Sequence, residues 1–180
     1  MKRIAMASLV VLFVGQSAKA DTRLPVLPLD ADRCAIGFAL TGKVMSGCLP
    51  PRMPDAPRRS VSGMQGYMVN FGFDTDQLSK DSRGHLDRLS DILNGQLSDL
   101  CLLLVGHADS TGSARYNQRL SGERAARVRL YLAGPGLVSA ARIKTQAKGE
   151  SQPLAGVAPT SGRNRRVEVL ARPAASGKCG

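Results

Sequence analysis

Tryptophan is absent from this chain of 180 residues, and aromatic residues make up only 4% of it. Stacking of nucleic-acid bases on aromatic rings therefore has little material to work with. Histidine is nearly as scarce. His85 and His107 are the two, and neither stands at ligand spacing from a second donor, so no metal site is expected. His107-Ala108-Asp109-Ser110 holds the residue types of a catalytic triad, but adjacent residues in one loop do not make a relay. No glycine-rich phosphate loop follows a strand pattern. With no catalytic constellation and no cofactor motif, neither enzyme activity nor a cofactor is expected. Acids are the other shortage: 14 Asp and Glu stand against 25 Lys and Arg, a formal charge of +11. Charge of that size suggests a polyanionic partner. At 43% hydrophobic residues the chain is too apolar for a disordered polyelectrolyte.

What is present begins with an export address over residues 1–20. Lys2 and Arg3 precede the uncharged run Ile4 to Val14, and Ala18-Lys19-Ala20 supplies a small-x-small cleavage site. As a helix that run rises only about 16 Å, roughly half a hydrocarbon core, so it reads as a cleaved signal rather than an anchor. No cysteine follows it before Cys34, and no later run is long enough to span a bilayer. Four cysteines in an exported chain fit an oxidising compartment. Cys34 and Cys48 bracket a short Gly-containing segment that suits a local bridge. Cys101 and Cys179 are candidates for a second, though spacing leaves all three connectivities open. Six of the ten prolines fall between residues 21 and 62, which predicts an extended linker with one disulfide-closed loop. Such a linker is the natural place for an envelope protein partner.

From Tyr67 the pattern becomes regular. Tyr67 to Phe73 reads as a strand, and Leu86, Leu89, Leu93 and Leu97 recur at helical spacing. Leu100 to Val105 reads as a buried strand, and residues 114–132 as a second helix closed by Ala133-Gly134-Pro135-Gly136. A helical piece near Val138 to Ala141 and strands at Ile143 to Ala147 and Val167 to Ala171 complete the unit. The class is α/β: a two-layer sandwich, with a small mixed sheet of about four strands packed by two to three helices.

One feature of the second helix resists a purely structural reading. Plotted at about 100° per residue, Tyr116, Leu120, Ala125, Val128, Tyr131 and Leu132 share one arc, with Asn117 and Arg124 near its centre. Arg115, Arg119 and Arg129 lie outside it and read as solvated. A guanidinium keeps its charge and is costly to bury unpaired, so Arg124 needs an anion or the open end of a groove. Asp109 follows the strand at its C-terminal end, where open α/β sheets tend to bind ligands. Either Asp109 is the structural counter-ion of Arg124, or the pair flanks a pocket that grips a zwitterion.

Gly106-His107-Ala108-Asp109 with Gly112, then Tyr116-Asn117, Leu120-Ser121, Arg124-Ala125 and Val128, resembles the signature of the OmpA-like peptidoglycan-binding domain. Phe71-Gly72-Phe73-Asp74, Gly149-Glu150 with Pro153, and Asn164-Arg165-Arg166-Val167-Glu168 fit the same family in the same order. Two departures stand out. Gly162-Arg163 abuts Asn164, which shortens the loop before Arg165, and Lys148 replaces an aromatic usual before Gly149. The resemblance implies a domain over 63–174, followed by a C-terminal tail 175–180, that binds peptidoglycan without covalent attachment. It would anchor an envelope component through the diaminopimelate of the stem peptide. Asp109 would take the ammonium and Arg124 the carboxylate, with Asn117, Arg165 and backbone near Ala108 lining the pocket. The implied location is the periplasm, against the wall and peripheral to the outer membrane; a nucleic-acid partner is not expected. The alternative is a subunit of an envelope assembly or secretion machine, using the domain and its N-terminal segment mainly for protein contacts.

Overall fold

A computed structural model describes residues 24–50, 64–134, 138–175 and 178–179. The export address at 1–20 and residues 21–23 and 51–62 of the Pro-rich stretch lie outside the described residues. The elements run α1 (Arg33–Thr41), β1 (Gln65–Asn70), α2 (Lys80–Asn94), β2 (Leu100–Gly106), α3 (Ala114–Leu132), β3 (Ile143–Ala147) and β4 (Arg166–Pro173). Single 3-10 turns at Ala140–Arg142 and Gly162–Asn164 precede β3 and β4. The strands form one sheet in the order β1-β4-β2-β3, with β4 antiparallel to both neighbours and β2 parallel to β3. This is the expected two-layer α/β sandwich with a mixed four-stranded sheet.

Each helix starts where a side-chain oxygen satisfies first-turn N–H groups. Asp32 accepts from Ala35 N at 2.8 Å, Ser79 from Ser82 N at 3.0 Å and Ser113 from Tyr116 N at 3.3 Å. One face of the sheet (Tyr67, Val69, Leu102, Leu104, Val167, Val169, Ala171) packs on Leu86, Leu89 and Leu93 of α2 and Ala125, Val128 and Leu132 of α3. The alternate residues Met68, Val105 and Leu170 face the other way, under Leu24 and Leu154.

The Pro-rich stretch departs from the expected linker over its described part. Residues 24–50 are not extended chain: they carry α1, and Leu27, Ile36, Ala39 and Leu40 belong to the main core. Met68 N donates to Pro25 O at 3.1 Å, so the segment pairs with the outer edge of β1. Arg88 of α2 grips it from the far side, donating to Ala31 O at 2.9 Å and to Leu29 O. The prolines sit outside residues 29–49, and nothing in that interval opposes a helix. Disulfides join Cys34 to Cys48 and Cys101 to Cys179. The second ties the C-terminal tail to β2. Among the described residues no helix is long and apolar enough to cross a membrane.

Candidate functional site

The C-terminal end of β2 meets the start of α3 and the loops that leave β1 and enter β4. Close packing makes this junction possible. A Cβ on Gly106 would sit 1.9 Å from Ser121 O, so only glycine lets α3 press against the strand here. Beyond Gly106 the chain is held by backbone bonds from His107 N to Arg166 O and from Ala108 N to Gly149 O, both 2.8 Å. Asp109 and Ala108 are thereby fixed at the floor of a cleft. Its wall includes Phe73, Asp74, Thr111, Tyr116, Asn117, Leu120, Arg124 and Arg165. Ala108 has committed its N–H to Gly149, so its carbonyl is the backbone group left to meet a ligand.

Arg124 has no exposed surface and is the largest side chain so enclosed. The salt bridge from Asp109, one of the two readings of this pair, is not formed, and backbone oxygens take its place. Nε donates to Thr75 O at 2.9 Å, Nη1 to His107 O at 3.1 Å and Nη2 to Gly72 O at 3.2 Å. The guanidinium also lies over the Phe71 ring, 5.6 Å from its centre. Burial first and Arg165 second push its pKa down, against the pull of Asp109, yet an arginine so placed stays cationic.

Asp109 pairs with Arg165 instead, Oδ2 accepting from Nη1 at 2.8 Å, while Oδ1 accepts from Thr111 N at 3.0 Å. Burial alone would raise the Asp109 carboxyl. The Arg165 guanidinium and the Thr111 donors outweigh it and hold the group below its ordinary value. Arg165 also donates Nε to Phe71 O at 3.3 Å and stands over Phe73, whose ring is 67% exposed at the rim. Asn117 is buried and donates Nδ2 to Thr111 O at 3.1 Å and to Glu150 Oε2 at 2.6 Å.

The structure thus brings Asp109, Arg124, Asn117, Arg165 and Ala108 to one cleft. Three participants carried no assigned role in the sequence. Tyr116 donates its hydroxyl to Asp74, and Glu150 reaches Asn117 from the turn after β3. Asp74 holds φ at 50°, a left-handed conformation uncommon outside glycine. The turn-prone run after β1 was the signal for Asp74, and the shared helical arc was the signal for Tyr116. Arg129 also differs from expectation. It is not simply solvated, since Nε donates to Ile143 O at 3.1 Å and Nη2 to Ala140 O at 3.3 Å.

Chemically, the cleft is lined by a buried carboxylate and two guanidiniums, of which Arg165 is part-exposed and Arg124 enclosed. Over residues 70–166 the chain matches the family model described as the OmpA family. The chain belongs to the OmpA family. It is 38% identical over 131 residues to outer membrane protein A of Bordetella avium, covering 68% of this chain and 66% of that protein. It is 40% identical over 103 residues to outer membrane porin F of Pseudomonas fluorescens, covering 56% of this chain and 31% of the porin. A peptidoglycan-associated lipoprotein of Mesorhizobium japonicum is 32% identical over 142 residues, covering 76% of this chain and 83% of its own. This chain therefore spans about a third of the porin and just under two thirds of the Bordetella protein. Among solved structures, the OmpA-like domain of FopA1 from Francisella tularensis superposes with a TM-score of 0.56 at 22% identity, over 83% of this chain and 94% of that one. The peptidoglycan-associated lipoprotein of Burkholderia pseudomallei gives 0.53 at 24%, over 58% and 89%. At those identities the superpositions speak for the OmpA-family fold alone.

Proposed function

We propose that this protein binds peptidoglycan noncovalently in the periplasm, holding the diaminopimelate of the stem peptide in the cleft between β2 and α3, and that it does so as an anchor rather than an enzyme. The observation that carries this reading is the charge layout: the Asp109 carboxylate and the Arg124 guanidinium border one narrow cleft at the sheet's C-terminal edge. A free amino-acid centre is a zwitterion and needs one acceptor and one cation a few ångströms apart. A guanidinium has five N–H donors. Three of those on Arg124 hold Thr75 O, His107 O and Gly72 O, which leaves two on the Nη atoms to meet a carboxylate. The name of one relative, a peptidoglycan-associated lipoprotein, supports the same partner.

The test is sedimentation of the purified mature protein with isolated sacculi, with soluble meso-diaminopimelate as competitor. Asp109→Asn keeps shape and removes the charge that would meet the ammonium. Losing one charge-assisted hydrogen bond of about 1.5–3 kcal/mol should weaken binding by about tenfold or more. Sedimentation of Asp109→Asn equal to wild type, or no competition by diaminopimelate, would defeat the assignment.

A second reading, a subunit of an envelope assembly, draws on the disulfide-closed loop 34–48 and its flank. There Val44 and Leu49 are exposed, Leu49 at 84%. Co-purification from the native envelope with Val44→Ser and Leu49→Ser variants separates the two, because only the assembly reading predicts loss of a bound protein while sacculus binding persists.

A further inference from the structure

Asn117 has two amide protons, and both are engaged inside the protein. One goes to Thr111 O at 3.1 Å and the other to the Glu150 carboxylate at 2.6 Å. A backbone carbonyl and a carboxylate oxygen accept, so the amide orientation is forced by its two partners. The Oδ1 atom is what remains for a ligand in the cleft that Asn117 lines.

Glu150 is placed to do this by the turn that follows β3. Gly149 holds φ at +54°, and a Cβ there would stand 3.2 Å from both N and Cα of Gln118, so the turn lies directly on α3. Three bonds hold it down. Gly149 N donates to Ser121 Oγ at 2.9 Å, Gln118 Nε2 to Ala147 O at 3.2 Å, and Ala108 N to Gly149 O at 2.8 Å. The glycine allows the contact, and the next residue along then meets Asn117.

Resting on the reading under Proposed function, we propose that Glu150 is a positioning residue: it orients the Asn117 amide so that Oδ1, in the cleft that Asp109 also lines, joins that carboxylate as a second acceptor and selects an ammonium-bearing ligand. Without Glu150 only Thr111 O still holds the orientation, so the amide turns over more readily and then presents Nδ2, a donor, which repels an ammonium and suits a carboxylate. The role is thus one of sign as well as strength. Glu150 itself need not touch the ligand.

The experiment compares two ligands of equal length on the mature protein: meso-diaminopimelate, and pimelate, which keeps both carboxylates and lacks both ammonium groups. Affinities come from NMR shift titration of wild type, Glu150→Ala and Glu150→Gln. Wild type should prefer diaminopimelate. Glu150→Ala should lower that preference about tenfold with pimelate affinity unchanged, equivalent to about 1.4 kcal/mol. Glu150→Gln keeps an Oε1 acceptor for Asn117 and should restore most of the preference. The side-chain amide resonances of Asn117, shifted and protected in wild type, should lose both properties in Glu150→Ala, a readout that stands even if ligand affinity is too weak to titrate.

An unchanged preference in Glu150→Ala, an equal loss for both ligands, or a Glu150→Gln variant as poor as alanine would overturn the role of Glu150. A wild type that shows no preference for diaminopimelate over pimelate would instead sink the diaminopimelate reading, and this inference with it.

Discussion

Mild acid should loosen this fold while the Asp109 carboxylate is still ionised, and His85 is the cause. The residue sits on α2 with 1% of its surface exposed, its ring edge-on to Tyr67 at 5.1 Å between centres. Neither ring nitrogen has a well-aligned hydrogen-bond partner among the described residues. Burial first, and the positive charge of Arg88 second, push its pKa from 6.5 down to about 4, against a weaker pull from the Leu29 backbone. The folded protein therefore holds His85 neutral where the unfolded chain would already have bound a proton.

The sign follows from that difference. Above pH 6.5 both states are neutral and the contribution is fully present. Between 6.5 and about 4 the unfolded state carries the extra proton, so stability falls with pH, and the loss stops below the folded value. A gap of roughly 2.5 units at 1.36 kcal/mol each amounts to about 3 kcal/mol. For a domain of this size that is a large share of a total of about 5–15 kcal/mol. Urea melts at pH 7.0, 5.5 and 4.0 read the effect directly. Wild type should lose about 3 kcal/mol more across the series than His85→Leu. His107, which burial also pushes down, remains in both proteins as common background. Equal slopes for the two proteins would refute the reasoning. So would a His85 ring titrating near 6.5 by NMR, a measurement that does not depend on the variant folding.

The remaining predictions concern covalent and ionic fastening. The Cys101–Cys179 bridge spans 78 residues and Cys34–Cys48 spans 14. Loop-closure entropy then makes removal of the longer bridge cost about 4.5 kcal/mol and the shorter about 3 kcal/mol. Denaturant melts of Cys101→Ser/Cys179→Ser against Cys34→Ser/Cys48→Ser should reproduce that order, and the reverse order would show that unfolded-chain entropy is not the controlling term. Arginine truncations on α3 should differ sharply by site. Arg124→Met strands the buried His107 carbonyl and the part-buried ones of Thr75 and Gly72 and should cost about 3–5 kcal/mol, whereas Arg127→Met breaks an exposed pair with Asp76 at 2.8 Å and should cost about 1 kcal/mol or less. Equal costs in thermal melts would contradict the carbonyl-clamp view of Arg124.

Much of the site was legible because its residues obey local rules. Ser113 caps α3, Leu120, Val128 and Leu132 set its period, and Ala133-Gly134 closes it, so Ala114–Leu132 could be read with its ends. An arginine and an asparagine in the centre of that apolar arc were conspicuous for the same reason. Partners were not legible, because they are tertiary. Arg165 lies 56 residues from Asp109, and no spacing rule connects them. The oxygens that hold Arg124 are backbone atoms, to which sequence is silent. The first helix was missed for a different reason. Proline content averaged over 21–62 hid a proline-free interval in which Asp32 can cap, Gly42 can close, and Ile36, Ala39 and Leu40 stand at helical spacing. Composition spoke louder than order there, and order was right.

The basic surplus also changes meaning once its members are placed. Residues 100–180 carry thirteen Lys and Arg against four acids, which on its own reads as a positive face for a polyanion. Several of those arginines are instead committed inward. Arg142 donates to Leu93 O, Leu97 O and Leu100 O, closing the end of α2 against β2. Arg129 holds two carbonyls at the entry to β3, and Arg166 donates to Glu168 and to Gln152 O. Arg124 does the same for the loop after β1 and the end of β2. Loop ends leave backbone carbonyls without ladder partners, and a guanidinium satisfies several of them at once. Net charge here is in good part a count of such clamps. Charge does not distinguish Arg124 from Arg142; Arg124 is fully buried where Arg142 is only half-buried. Arg124 also borders the cleft that Asp109 lines, and a ligand seated there would have to reach the two donors that the clamp leaves unused.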